Sequence, residues 1–250
     1  MSTQSTLPSP AAKGVISATV VLLGWLISLI SLLRLDLLSQ SAWCVTAAVL
    51  LRTAFQTGLF ITAHDAMHGV LVPGSPTINH RLGAWFLWLY AGLPYRSCLR
   101  KHHNHHRFSG SSSDPDFCAD ASIGAWGWYR SFMAGYLSQR QMIRLLGLWL
   151  ALAVLATANH RTGWCNVLVV CVAPLLLSSW QLFLFGTYLP HRIQQHAGDP
   201  QAPASIDHPV WLSLITCFHF GYHREHHESP QLAWFELPAE HRRRRTLAPS

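Results

Sequence analysis

Two short stretches concentrate one kind of side chain: HHNHH at residues 102–106 and HREHH at residues 223–227. His102, His105 and His106 stand at i, i+3 and i+4; His223, His226 and His227 repeat that spacing, and His64 and His68 stand at i and i+4. On an α-helix each set occupies one face, so its imidazoles can converge on a common partner. The register of the first stretch is unambiguous, because His103 is followed three residues later by His106 and then by Arg107, not by another histidine. Neutral imidazole is a ligand suited to iron, copper, zinc and nickel. Eight such side chains exceed the four positions of a tetrahedral zinc, which makes two metal ions the economical reading. A lone HxxxH or HxxHH arises readily in a solvated turn or a His-rich run; three in order do not.

Other chemistries are poorly supported. The HExxH signature of zinc proteases is absent, since HREHH carries its Glu at a different position. The six cysteines, Cys44, Cys98, Cys118, Cys165, Cys171 and Cys217, show no paired spacing, and several lie in apolar segments where thiols behave as small hydrophobes. There is no Gly-rich dinucleotide loop and no Walker sequence, so any reducing power must come from a separate protein.

The elements that must hold these histidines are membrane helices. Half of the 250 residues are hydrophobic and only 12% are charged, about half the usual charged share of a soluble domain. GVISATVVLLGWLISLISLL, Gly14 to Leu33, carries no charge between Lys13 and Arg34. At about 1.5 Å per residue it reaches roughly 30 Å, enough to cross a bilayer core, and no small-residue cleavage site comes after it, so it reads as a retained span. Further blocks run from Trp43 to Ala63, with the single charge Arg52, from Leu145 to Ala158 with an extension back to Gln141, and from Trp164 to Pro190. RLGAWFLWLYAGLP, residues 81–94, is too short to span and reads as a re-entrant or interfacial segment.

The resulting fold class is all-α: an integral membrane protein of about four transmembrane helices with a cytoplasmic helical cap that carries a di-metal site. It forms a single domain over residues 1–250, with 1–13 and 242–250 as flexible tails. With the N-terminus inside, only Arg34 and Arg161 of the eighteen Lys and Arg fall on the opposite side and Arg52 within a span, in agreement with the positive-inside rule. Both termini and all the histidine clusters then lie on the cytoplasmic side. The net charge of +7 belongs to topology and anionic lipid, not to nucleic acid. The sequence has no internal repeat.

The order HxxxH, HxxHH, HxxHH on four spans resembles the membrane-bound di-iron oxygenases, which include acyl desaturases, alkane hydroxylases and carotenoid hydroxylases and ketolases. HDAMHG (64–69), DPDF (114–117), GTYLPHR (186–192) and HFGYHREHH (219–227) are similar to motifs of the bacterial β-carotene 4-ketolases, and the likeness covers about residues 20–240. The resemblance implies two irons held by His64, His68, His102, His105, His106, His223, His226 and His227, with O2 as co-substrate and an external electron donor such as ferredoxin and its reductase. Related enzymes take a further histidine from the end of the last span. His191 is favoured because it ends a span beside the site; His219 competes, four residues before His223. Asp65 and Asp116 are candidate acceptors for ligand imidazole N–H groups, or else helix-end and turn carboxylates. His80, His103, His160, His196, His208 and His241 read as ordinary surface or interfacial residues. Trp85, Trp88, Tyr90, Trp126, Trp128 and Tyr129 either line a tunnel for a polyene or anchor the protein at the interface.

The implied reaction is oxidation of the ring C4 methylene of β-carotene, or of a hydroxylated carotenoid such as zeaxanthin. Two successive hydroxylations give a geminal diol that loses water to the ketone, with echinenone preceding canthaxanthin. Carbon 4 is allylic, which weakens its C–H bonds. A carotenoid ring 3-hydroxylase or an acyl-lipid desaturase would share the irons and differ in the pocket. A membrane haem or metal-binding protein would instead place its histidines inside the spans.

Overall fold

A computed structural model describes residues 9–120, 122–159, 161–196 and 203–247, and among these every regular element is helical. In chain order they are α1 (Pro10–Arg34), α2 (Ala42–Met67), α3 (Pro76–Ala91), α4 (Tyr95–Phe108), α5 (Ala125–Tyr136), α6 (Gln139–Asn159), α7 (Gly163–Val167), α8 (Ala173–Phe183), α9 (Leu189–His196), α10 (Val210–Cys217), α11 (His223–Glu228) and α12 (Leu237–Leu247). Four helices are long and apolar enough to cross a membrane: Ala11–Arg34, Ala42–Met67, Gln139–Ala158 and Gly163–Ile193. They coincide with the four apolar blocks of the sequence. Ser9 and Ser41 begin the first two, each hydroxyl accepting from the backbone N–H three residues on at 3.3 Å. Val20 and Ile27 of α1 and Leu150 and Leu155 of α6 face outward, an apolar surface that only lipid can cover without cost.

The second span is the axis of the bundle. α2 packs against α1, α3 and α8, and its Leu59, Ala63 and Ala66 are fully buried together with Leu87 of α3. It runs past Ala63 to Met67, so His64 belongs to its last turn. Most of the segment expected to be re-entrant or interfacial, residues 81–91, belongs to α3, which packs on α2 and α4 and turns Trp85 and Trp88 outward. Gly92, at φ 64°, takes the left-handed turn that ends α3, a conformation that costs glycine nothing.

The fourth span is not a regular helix. Pro174 has no N–H to offer the carbonyl of Val170 four residues earlier, and there the chain adopts a π-helical turn, Leu168–Val172. The carbonyl is met from another span: Arg52 Nε donates to it at 3.0 Å, while Nη1 donates to the Trp25 carbonyl at 2.7 Å and to Ser28 Oγ at 3.1 Å. Arg52, the one charge in the apolar block of the second span, thus takes over a backbone hydrogen bond that a proline removed. Pro190 stands in the same relation to Gly186, inside a second π turn, Leu184–Tyr188. An inserted residue rotates the remainder of the helix by about 100°, and this insertion lies just before His191.

Parts of the two segments expected as tails are helical. Residues 10–13 open α1, and 242–247 complete α12, where Arg244 pairs with Glu228 and Glu240 and Arg245 with Asp207. The basic run looks like a tail in the sequence because its acidic partners at 207 and 228 are distant along the chain. Residues 1–8 and 248–250 lie outside the described residues.

Replacing Arg52 by Met leaves the Val170 carbonyl without a donor, which costs about 2 kcal/mol for a buried acceptor. We expect a fall in Tm on the order of 5 °C in detergent; an unchanged Tm would show that the bulge does not need the guanidinium.

Candidate metal centre

His64 lies in the last turn of α2 and His68 caps it; α4 carries His102, His105 and His106, α9 carries His191, and α11 begins at His223 and includes His226 and His227. These helix ends meet at one end of the bundle. Nine imidazoles fall there into two groups, one of His64, His68, His102, His106 and His226, the other of His105, His191, His223 and His227. Within each group one nitrogen per residue lies within 4.8 Å of all the others.

The partition is a product of helix geometry. Residues at i and i+4 share a face, so 64/68 and 102/106 enter the first group as pairs and 223/227 enters the second. Adjacent residues point about 100° apart, so the doublets 105/106 and 226/227 each send one ring to either group. Each HxxHH box therefore serves both groups, where the sequence alone placed it on one face.

The distances suit a shared cation. Two imidazole nitrogens bound at about 2.1 Å and at right angles stand about 3 Å apart. His106 Nε2 and His226 Nε2 are 2.9 Å apart, His105 Nε2 and His227 Nε2 3.1 Å, and His68 Nε2 and His102 Nε2 2.6 Å. Both ring nitrogens of His191 and of His223, and Nδ1 of His64, are buried with no hydrogen-bond partner. Buried polar atoms without partners are rare in folded proteins, and a metal ion for each group would satisfy the nitrogens that face inward.

Electrostatics favours the ligand form. Burial, reinforced by neighbouring imidazoles, lowers the pKa of His68 to about 4 and that of His106 to about 2, and holds His102, His223, His226 and His227 well below the ordinary histidine range. Neutral rings can coordinate. His105 is the exception. Burial alone would lower it, but the hydrogen bond to Asp114 and the charges of Asp116 and Asp114 together outweigh burial and raise it: Nδ1 of His105 donates to the Asp114 carboxylate at 2.9 and 3.1 Å. That bond leaves Nε2 to face the second group.

The second layer of residues differs from the expected one. Asp114, not Asp116, holds a ligand-set imidazole, and it also accepts from the backbone N–H of Gly110 and Asp116. The DPDF motif contains both carboxylates, and spacing alone does not tell which one folds back onto α4. Asp116 instead accepts from the Tyr136 hydroxyl at 2.8 and 3.1 Å. Asp65 accepts from the Trp234 backbone N–H at 3.2 Å, and its carboxylate is 3.8 Å from His64 Nδ1, too far for a hydrogen bond.

His219 belongs to neither group. Phe218 and His219 both adopt positive φ, 47° and 65°, so the chain turns between α10 and α11 and the helical face that would align His219 with His223 does not exist. Its ring stacks against Tyr222 and Trp234 instead. His241, expected at the surface, is buried and bridges Glu225 at 2.9 Å and Asp207 at 3.1 Å. Glu225 sits between His223 and His226 of α11 and also accepts from Ser205, so this unanticipated clasp fixes the third box to α12. His80 and His103 are exposed and His208 half-buried; the His160 and His196 side chains lie outside the described residues.

A cavity of about 180 Å³ opens beside the imidazoles. His64, His102, His105 and His223 form part of its wall; Phe60, Phe132, Met133, Leu145, Leu175 and Leu182 make it apolar, and it reaches Leu176 on the outward face of α8. Of the six aromatic candidates only Tyr90 lines it. Trp85, Trp88 and Trp126 are exposed as interfacial anchors would be, and Trp128 is buried under Phe117 and Tyr188.

The arrangement, two groups of imidazoles that could hold metal beside an apolar cavity in a bundle of membrane-length helices, agrees with comparison to known proteins. Residues 39–250 match the fatty acid desaturase family. A beta-carotene ketolase from Paracoccus sp. (strain PC1) is 40% identical over 225 residues, covering 87% of this chain and 88% of the relative. A beta-carotene ketolase from another Paracoccus strain is 42% identical over 191 residues, 75% of each chain. One from Haematococcus lacustris is 35% identical, covering 80% of this chain and 63% of its own length. The chain belongs to the fatty acid desaturase family and, within it, to the beta-carotene ketolases.

Proposed function

We propose that the chain is a carotenoid 4-ketolase that converts the ring C4 methylene of β-carotene to a ketone, using two irons held by the nine imidazoles and O2 as co-substrate. The observation that carries this reading is the adjacency of the two imidazole groups to an apolar cavity that reaches the lipid-facing side of α8. Two irons, when bound, would supply the activation of dioxygen that an unactivated C–H bond requires.

The chain's own residues do the rest. The apolar wall accepts a ring with no polar group and keeps water from the reacting carbon. His102, His105 and His223, which are both wall and ligand set, bring that carbon to the metal end; displacement of about an ångström suffices to change which C–H is attacked. Asp114 fixes the His105 tautomer, and the Glu225–His241 clasp fixes α11. Electrons would arrive from an external donor of the ferredoxin kind, and the charge asymmetry of the sequence supports placing the histidines and both termini on the cytoplasmic side.

Substitution of any of the eight boxed histidines by Ala should abolish ketone formation while the chain still inserts in the membrane. His191→Ala should do the same and His219→Ala should not; the reverse pair of results would assign the ninth ligand to His219. In a host that makes β-carotene, expression should give red-shifted pigment, echinenone first and then canthaxanthin. Zeaxanthin instead, or altered acyl unsaturation with β-carotene untouched, would reject the ketolase reading. Reporter fusions after residues 110 and 245 should report one and the same compartment, the cytoplasm; opposite compartments would contradict the topology.

A further inference from the structure

Beside the four imidazoles, the cavity wall contains one acidic side chain, Asp116. Its carboxylate is buried and, among the described residues, receives a hydrogen bond from a single donor, the Tyr136 hydroxyl. A carboxylate offers about four lone-pair sites, so Asp116 keeps acceptor capacity beyond its bond with Tyr136 while lining the cavity. Its position is set firmly. The Asp116 N–H donates to Asp114 at 2.9 Å, and Trp128 Nε1 donates to the Asp116 carbonyl at 2.9 Å. Tyr136 also lines the cavity, its ring held by Lys101 Nζ at 4.4 Å and by Phe132 at 4.9 Å. Asp114 accepts from both the Asp116 backbone N–H and His105 Nδ1, so one side chain ties the Asp116 backbone to a ring of the second imidazole group.

The hydrocarbon substrate has no use for such a group, but the product of its first oxidation does. Each round takes up one O2, two electrons and two protons; it inserts one oxygen atom into a C–H bond and releases one water. The diol left by the second round loses another water with no change in oxidation state. Between rounds the substrate is an allylic alcohol, whose hydroxyl has no other acidic partner in an apolar cavity and whose carbon must stay at the metal end. Resting on the ketolase reading, we propose that Asp116 and Tyr136 form a hydroxyl-binding subsite that captures the C4 alcohol and holds it for the second oxidation. The alcohol donates to Asp116, which remains oriented by Tyr136. A hydroxyl would then be recognised at carbon 4, and the subsite would commit the enzyme to a ketone instead of an alcohol.

The test compares β-carotene with its 4-hydroxy derivative, each supplied to membranes containing the full-length chain, for wild type, Asp116→Leu, Asp116→Asn and Tyr136→Phe. In Asp116→Leu the ratio of kcat/KM for the alcohol to that for the hydrocarbon should fall about tenfold, the equivalent of one hydrogen bond, through KM for the alcohol. The free alcohol should accumulate from β-carotene. Asp116→Asn, which keeps an acceptor, should recover part of the ratio, and Tyr136→Phe should lower it severalfold. An unchanged ratio in Asp116→Leu and Tyr136→Phe, or equal loss on both substrates with metal content intact, would overturn the proposal. If Asp116→Leu fails to accumulate in the membrane, the ratio in Tyr136→Phe decides alone. Wild type forming no ketone from either substrate would sink the ketolase reading itself, a result distinct from any of these.

Discussion

Nine imidazoles brought together in a largely buried space at the end of apolar helices cannot all be charged and cannot all bond one another. Most of them tolerate that position only as neutral rings with a partner in common. The split into five and four expresses that constraint, and much of the surrounding structure serves it. α2 is extended beyond its apolar block so that its last turn carries His64; the bulge before Pro190 reaims the end of the fourth span; the clasp between Glu225 and His241 fixes a helix of only six residues.

The same constraint explains why polar groups within the membrane-spanning part are so closely paired. Arg52 takes the carbonyl that Pro174 leaves without a donor, and Gln56 links Trp25 Nε1 to the carbonyl of Tyr90. With no water at that depth, each backbone irregularity must be met from a neighbouring helix. These bonds join α1, α2, α3 and the fourth span in one frame, which lets the metal end be positioned by elements that begin far from it.

The features legible in the sequence are those that depend on local periodicity. Apolar blocks mark the four spans, and i, i+3, i+4 spacing marks the eight boxed histidines, because both are properties of one helix at a time. His191 is legible from its place at the end of a span. The choice of Asp114 over Asp116, the pairing of His241 with Glu225 and the meeting of Tyr136 with Asp116 are not, because each joins segments whose approach is decided by packing. His219 misleads for a local reason that spacing also hides: two left-handed residues break the helix on which its alignment with His223 depends. The π turns have a signal, a proline within each apolar run, but a proline does not say whether the helix will kink, end or bulge.

The proposed chemistry depends on two metal sites of defined membership. Anomalous diffraction at the iron edge from crystals of the purified, iron-loaded chain addresses this directly. It should give two peaks, one enclosed by His64, His68, His102, His106 and His226 and one by His105, His191, His223 and His227. A single peak, or one that lies beside His219 and away from His191, would contradict it.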